Sequence, residues 1–270
     1  MDTFLEDCKV AHTQMPNVAG MFYPADPSQL TEQIDQYLGE ATPYPGPVPK
    51  ALIAPHAGYI YSGPVAANAY ATLSALAGRI ERVVVLAPSH RVAFRGIATS
   101  ESSEFRTPLG DIPVDTAAVQ QALELTQVGL LEQAYQGEHA LEVQLPFLQR
   151  TLGDFKLVPF IVGDARPEEV AELLNLLWGG DETLIVISSD LSHYHEYADA
   201  MRRDRNTSSH IEALDPDIAY DDACGRNPIR GLLVSAREHG LRVETRDLRN
   251  SGDTAGPRDQ VVGYGAYVFH

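Results

Sequence analysis

The chain has 270 residues, of which 44% are hydrophobic and 21% charged, a composition typical of a globular protein that can bury one sizeable core. Its formal net charge is −17, with 37 acidic residues against 20 lysines and arginines, so we expect neither nucleic acid nor an anionic membrane surface as a partner. The two cysteines, Cys8 and Cys224, are too few for a disulfide framework, and no apolar run reaches the roughly 18 residues that a membrane span needs.

The first fifty residues are predicted to form an N-terminal extension that packs on a single domain covering residues 1–270. Residues 1–10 contain acidic side chains and no apolar stretch, which predicts no signal peptide and a cytoplasmic location. A short helix is predicted over residues 27–38. Four prolines within residues 41–49 then indicate an extended connector into the core.

After this connector, short β-branched runs alternate with helical patterns. The predicted strands cover residues 51–55, 82–87, 157–162, 183–189, 241–247 and 261–269, and the predicted helices cover residues 64–76, 167–178 and 229–238. Continuous apolar strands separated by helices are typical of a sheet that is covered on both faces. The predicted fold class is therefore α/β: a single three-layer domain with a central mixed sheet that is largely parallel in its centre.

Three predicted strands end at residues whose side chains could perform chemistry. Residues 51–55 run into His56, residues 82–87 into His90, and residues 183–189 into Asp190 and His193. Because ligands bind outside the carboxyl ends of parallel strands, we expect these four side chains to meet at one rim of the sheet. Imidazole and carboxylate groups together suit a divalent transition metal such as iron, zinc or copper, and they also suit acid–base chemistry without a metal.

Two further segments contain candidate residues. Residues 137–150 are predicted to form a helix with Glu138 in its first turn, where the helix dipole favours an anion, and His139 is then either exposed or part of the rim. Cys224 lies in a turn-rich stretch before a helix, where the helix N-terminus and a nearby arginine would lower its pKa; alternatively, it is a small buried residue in a turn. The polar, glycine-rich residues 250–257 either line the pocket or form a plain connector.

Common nucleotide-binding and hydrolase motifs are missing from the sequence. It contains no phosphate-binding loop ending in GK[ST], no GxGxxG after a strand and no HExxH. Ser89, His90 and Asp190 could form a hydrolytic triad, but the sequence has no GxSxG nucleophile elbow. Nucleotide-dependent and common hydrolase chemistry are therefore not favoured.

Nine short motifs run in order over nearly the whole chain. They are VAGMFYP (18–24), APHAGY (54–59), YSGP (61–64), LAPSH (86–90), GEH (137–139), QLPF (144–147), SSDLSH (188–193), CGRNPI (224–229) and VVGYGA (261–266). On these motifs the sequence resembles the Memo family, most closely its bacterial and archaeal members, known as AmmeMemoRadiSam system protein B. The resemblance implies an α/β fold similar to that of class III extradiol ring-cleavage dioxygenases.

The resemblance also implies a metal site. The family's two histidine ligands and one cysteine ligand correspond to His56, His90 and Cys224 here; Asp190 and His193 lie beside the site, and His139 corresponds to a histidine that lines the pocket. Iron and copper have both been associated with the family, so Fe(II) or Cu is the expected cofactor, with Zn as an alternative. Extradiol dioxygenases use a carboxylate where Cys224 stands, and a thiolate shifts the preference towards softer metals, so their activity cannot be inherited from the fold.

Three functions are compatible with these residues. The first is a metal-dependent redox enzyme, in which His193 and His139 would act in acid–base catalysis, Asp190 would orient a ligand, and a small molecule or peptide would bind in the strand-end crevice. The second is a metal-binding or partner-binding protein without turnover that works with a radical-SAM protein. The third is a pocket without a metal, in which the histidines donate hydrogen bonds to a small anion or a peptide carboxylate.

Overall fold

The computed structural model describes residues 12–270. Cys8 and the predicted absence of a signal peptide in residues 1–10 lie outside the described residues. Within residues 12–270, none of the helices is both long and apolar enough to span a bilayer.

The described part of the chain alternates between strands and helices throughout. The strands are β1 (Thr13–Gln14), β2 (Ala51–Ala54), β3 (Arg82–Pro88), β4 (Ile97–Thr99), β5 (Glu104–Thr107), β6 (Gly110–Pro113), β7 (Val128–Leu130), β8 (Lys156–Val162), β9 (Thr183–Ser188), β10 (His193–His195), β11 (Val243–Asn250) and β12 (Val261–Phe269). The helices are α1 (Pro27–Glu40), α2 (Tyr59–Tyr70), α3 (Thr116–Ala122), α4 (Leu145–Leu152), α5 (Pro167–Leu176), α6 (Tyr197–Glu212) and α7 (Arg226–Glu238). Short 3₁₀ turns connect several of them.

A nine-stranded mixed sheet forms the centre of the molecule. Its strand order is β10-β12-β2-β9-β3-β8-β4-β7, and β11 pairs with β12. The four central strands β2, β9, β3 and β8 are mutually parallel, whereas β12 and β4 run antiparallel to their central neighbours. The predicted fold class, an α/β domain with a central mixed sheet that is largely parallel in its centre, is confirmed.

The central strands are buried on both faces. Every residue of β2 and β9 is buried, and so is every residue of β3 from Val83 onwards. This continuous burial explains why their sequences read as unbroken apolar runs rather than as alternating patterns. Residues from α1 belong to the same hydrophobic cluster as the sheet. The proposed boundary between an extension of residues 1–50 and the rest of the chain stays a prediction.

The predicted start of the helix at residue 64 is wrong, because α2 begins at Tyr59 and contains Pro64. The Gly63-Pro64 pair indicated a helix start, but the packing of Tyr59 in the first turn extends the helix further towards the N-terminus. The ring of Tyr59 is buried, contacts Phe147, and donates a hydrogen bond to the carbonyl of Val143 over 2.8 Å. The helix therefore begins only five residues after β2 ends, at the rim where the candidate site lies.

The helix predicted over residues 137–150 is also shorter than expected. Gly137 has a φ of +68°, a 3₁₀ turn covers Glu142–Gln144, and α4 begins only at Leu145. Pro146 lies in the first turn of α4, where the missing N–H of a proline costs no helical hydrogen bond. Glu138 is therefore not a helix-start carboxylate, and its side chain instead contacts His90 at the candidate site.

Candidate functional site

The site lies where three parallel central strands end. In the sheet β9 lies between β2 and β3, so the residues that follow them leave the sheet at the same edge. These residues line a cleft of about 1160 Å³. All six residues predicted from the sequence line this cleft: His56, His90, His139, Asp190, His193 and Cys224.

Three of these side chains are close enough to share one metal ion. His56, His90 and Cys224 each offer one donor atom, and the three atoms lie within 4.8 Å of one another. The Sγ of Cys224 is 3.3 Å from Nε2 of His56. His56 is buried, whereas 28% of the His90 side chain is exposed, so the cluster has a closed side and a side that faces the cleft.

A buried carboxylate orients His90. Nδ1 of His90 lies 2.9 Å from Oε1 of Glu138, and the backbone N–H of His90 donates to Oε2 over 2.6 Å. Because an ionised carboxylate only accepts hydrogen bonds, Nδ1 of His90 carries the proton and Nε2 keeps its lone pair. Histidines that bind metals are commonly held by this kind of contact.

A serine hydroxyl fixes His56 in the same way. The hydroxyl of Ser188 donates its only proton to the carbonyl of Ala140 over 2.6 Å, and it also accepts a hydrogen bond from Nε2 of Gln144. It can therefore only accept from Nδ1 of His56, which lies 2.8 Å away. Nε2 of His56, the atom next to Cys224, consequently keeps its lone pair.

A second group of possible ligands, His90, Glu138 and His139, overlaps with the first. The oxygens of Glu138 already accept hydrogen bonds from His90 and from the backbone N–H groups of His139 and Ala140. Burial would raise the pKa of Glu138, but the hydrogen bonds from the ring and the backbone N–H of His90 and from the backbone N–H of Ala140 lower it to about 2. Glu138 is thus an ionised residue that organises the loop, and its engaged oxygens make it a poor ligand.

Asp190 and His193 lie beside the cluster. Oδ1 of Asp190 accepts the backbone N–H of His56 over 2.7 Å, and Oδ2 is 4.0 Å from Nε2 of His56. Burial raises the pKa of Asp190. Nδ1 of His193 lies 2.8 Å from the carbonyl of Leu191; a carbonyl can only accept, so this nitrogen carries the proton and Nε2 is free to accept one.

The pKa of Cys224 differs from the sequence-based expectation. The helix N-terminus and the arginine at position 226 led us to expect a lowered pKa, but burial raises the pKa of the Cys224 thiol well above its usual range, and the charge of Asp190 adds to this effect. The backbone N–H of Asp190 donates to Sγ over 3.3 Å, which is too small a contribution to reverse the direction. The site therefore favours the protonated thiol unless a cation is bound.

His139 and Phe22 form one wall of the cleft. The ring of His139 stacks on His90 with centroids 4.9 Å apart and contacts the ring of Phe22 at 4.6 Å. Burial is the main cause of the lowered pKa of His139. Phe22 was not predicted as a site residue, although it lies in the VAGMFYP motif. Its carbonyl accepts the N–H of Tyr59 over 2.7 Å, which attaches the N-terminal segment to the start of α2.

The outer part of the cleft is lined by loops and aromatic rings. Ser251, Gly256 and Pro257 belong to its wall, so the glycine-rich loop of residues 250–257 lines the pocket rather than only connecting strands. Tyr194 has a φ of 60° and a side chain that is largely exposed. Backbone strain of this kind clusters at functional sites. The polar, glycine-rich composition of the loop had left both alternatives open, whereas Tyr194 had no signal in the sequence.

Comparisons with known proteins agree with this architecture. Residues 14–268 match the family model described as Memo-like protein. A MEMO1 family protein of Saccharolobus solfataricus is 34% identical over 95% of this chain and 99% of its own length, and one of Sulfolobus acidocaldarius is 35% identical over 93% and 97%. The crystal structure of an uncharacterized protein from Escherichia coli K12 has a similar fold, with a TM-score of 0.54 and 13% identity over 81% of this chain and 98% of that one.

The family model covers almost all of the described residues, and these relatives match nearly end to end. The matched region contains each of the six candidate site residues. The chain therefore belongs to the Memo family.

Proposed function

We propose that this protein is a metal-dependent oxidoreductase whose iron or copper ion is held by His56, His90 and Cys224. The observation that carries the proposal is the convergence of three donor atoms within 4.8 Å of one another at the inner end of a substrate-sized cleft. Three protein ligands beside an open cleft are typical of catalytic metal sites, which keep a coordination position free. Structural sites are instead closed by a fourth protein ligand.

The donor set fits such a metal. The contacts of Glu138 and Ser188 leave Nε2 of both histidines with a lone pair, as a ligand requires. A bound cation would also deprotonate the Cys224 thiol, whose pKa burial otherwise raises. Imidazole and thiolate together favour copper, zinc or iron over magnesium or calcium.

A bound iron or copper ion would supply one-electron chemistry with oxygen or an oxidisable substrate. The chain's own residues would position the substrate and move protons. His193 presents a free Nε2 that can accept a proton from a substrate, because its Nδ1–H is fixed on the carbonyl of Leu191. Asp190 holds the backbone of His56 in place, and His139, packed between His90 and Phe22, shields the inner end of the cleft from water.

Elemental analysis of protein purified anaerobically without a histidine tag tests the proposal. We expect close to one equivalent of iron or copper in the wild type and loss of this metal in Cys224→Ser. The control variant Cys8→Ser, which removes the other thiol of the chain, should keep the metal. A Cys224→Ser variant that keeps its metal, or a wild type that binds neither iron nor copper, would contradict the metal assignment.

Oxygen consumption by the metal-loaded protein with phenolic and other oxidisable substrates tests the second half of the proposal. Turnover that falls in His193→Gln while the metal content is unchanged would support the assigned role of His193. Stoichiometric metal without any oxygen consumption would instead favour the second function, a metal-binding protein that works with a partner such as a radical-SAM protein.

A further inference from the structure

One arginine in the cleft has no ion-pair partner among the described residues. Arg226 is the first residue of α7 and lines the cleft two positions after Cys224. Its Nε is buried and has no hydrogen-bond partner in the described part of the chain. By contrast, Arg203 in the same cleft is paired with Asp199 and Asp222. A buried donor without a partner costs free energy, and a ligand that accepts its hydrogen bond would remove this cost.

Arg226 shares the lack of an ion pair within residues 12–270 with other arginines such as Arg91 and Arg205, but both of those are exposed, whereas the Nε of Arg226 is buried. The chain contains 37 acidic residues against 20 lysines and arginines, so carboxylates are abundant. Other arginines, such as Arg82, Arg150 and Arg249, are paired with an aspartate. The guanidinium carbon of Arg226 instead lies over the ring of Tyr220, 5.1 Å from the ring centre.

Aromatic rings line the same cleft as this arginine. Tyr220 is 78% exposed and Tyr194 is 70% exposed, and both line the cleft. Phe22, Tyr61 and Phe94 line it as well. Exposed rings at the mouth of a cleft supply large contact area at little cost in side-chain entropy. A ligand with an aromatic or apolar body would cover these rings.

The charges of the cleft limit the kind of anion that can bind. Arg91, Arg203 and Arg226 are opposed by Asp164, Asp190 and Asp221 among the lining residues. Two of these arginines, Arg91 and Arg226, form no ion pair within residues 12–270, and only Arg226 is half-buried. A dianionic phosphate would therefore meet the three acids with a single such arginine to bind it. A carboxylate carries a single charge, and the planar guanidinium fork binds it with two parallel hydrogen bonds.

We propose that the cleft binds an organic monocarboxylate with an aromatic or apolar body, and that Arg226 binds its carboxylate. The proposal rests on the proposed function in that it names the substrate class of the same cleft. The carboxylate contacts Arg226 at the start of α7, and the body of the ligand packs on Tyr220 and Tyr194 as it extends towards the histidine cluster.

Isothermal titration calorimetry with 3-phenylpropionate, and with its uncharged isostere 3-phenylpropionamide, tests the proposal. We expect the carboxylate to bind at least about tenfold more tightly than the amide, and Arg226→Gln to abolish this difference, which corresponds to about 1.4 kcal/mol. Arg205→Gln is the matched control, because Arg205 is exposed on α6 and does not line the cleft. Arg226→Lys should recover part of the affinity, since it restores the charge without the planar fork.

Equal binding of carboxylate and amide, unchanged affinity in Arg226→Gln, or no binding of the carboxylate would each overturn the proposal. Tighter binding of phenyl phosphate than of 3-phenylpropionate would overturn the choice of a monoanion. All titrations are performed on both chelator-treated and metal-loaded protein, and the thermal midpoint of each variant confirms that it is folded. Carboxylate binding to the chelator-treated protein supports the anion site even if the metal assignment fails.

Discussion

At the scale of single residues, the site depends on side chains that touch its histidines from behind. Glu138 and Ser188 determine which ring nitrogen of His90 and His56 is protonated, so both rings present Nε2 to the cleft. The sequence indicated the histidines, because they follow buried strands. It did not indicate these supporting contacts, since Glu138 fitted equally well as the first-turn residue of a helix.

Replacing Glu138 by glutamine tests this arrangement. The amide can still accept hydrogen bonds through one atom, but its NH₂ group would face the N–H donors of His90, His139 or Ala140. We expect metal affinity to fall by about 10- to 100-fold, as is usual when such a contact is lost. Competition with a chromophoric chelator measures the affinity, and Glu169→Gln in the first turn of α5 is the control. Equal affinity in both variants would show that Glu138 does not orient the ligand.

At the scale of elements, the buried parallel strands were predicted to within one or two residues, because their apolar runs depend only on burial. The helix α6 was not predicted, because its buried face is not predominantly apolar. Its buried face consists of Ala200, Asp204, Thr207, Ser208 and Ile211, so it shows no apolar stripe. Strands β4 to β7 are only three or four residues long and half exposed in places, which gives no readable alternation.

The close approach between the start of α7 and the end of β9 positions Cys224, and Gly225 permits it. A Cβ at Gly225 would lie 2.6 Å from the Cβ of Ser189 and 2.7 Å from the carbonyl of Ser188, both on or next to β9. Gly225→Ala must therefore push the loop that contains Cys224 away from the strand. We expect a loss of about 1–3 kcal/mol in the free energy of unfolding, together with weaker metal binding.

Gly129→Ala in β7 is the matched control for Gly225→Ala, because its new Cβ would meet no atom within 4 Å. Denaturant unfolding and metal titration of both variants provide the comparison. Similar behaviour of the two variants would mean that the contact between Gly225 and Ser189 does not hold Cys224 in place.

At the scale of the whole molecule, the site joins segments that are distant in sequence. Phe22, His56, His90, Asp190 and Cys224 come from five separate parts of the chain. The topology of parallel strands predicts that the strand-end residues meet. Cys224 had a local signal as a cysteine before a helix, but only the family resemblance indicated that it joins His56 and His90. Phe22 could not be predicted from local pattern, because long-range contacts hold its segment in place. Among them, the carboxylate of Glu142 accepts hydrogen bonds from the backbone N–H of Val18 and the hydroxyl of Tyr23.

The pH dependence of folding is also a property of the whole molecule, and its buried carboxylates contribute with opposite signs. The pKa of Glu138 is lowered to about 2, so this residue contributes stability at neutral pH that is lost as the pH falls towards 2. Burial raises the pKa of Asp204 to about 6. The charge of neighbouring Asp222 adds to this rise, whereas the hydrogen bond from the backbone N–H of Ser192 opposes it. Asp204 therefore destabilises the folded protein above pH 6, and the penalty disappears as the pH falls below its unfolded value of 3.8.

Replacing Asp204 by asparagine removes this ionisation while keeping an oxygen that can accept the N–H of Ser192, which now donates to Oδ1 over 3.0 Å. The free energy of unfolding of the variant, minus that of the wild type, should increase by about 2–3 kcal/mol between pH 4 and pH 7.5, since a shift of about two pKa units corresponds to that amount. Other titrating groups are common to both proteins and cancel in this difference. Urea unfolding at several pH values measures it. A difference that stays constant with pH would mean that Asp204 ionises as easily in the folded chain as in the unfolded one, and that α6 tolerates a buried charge beside the site.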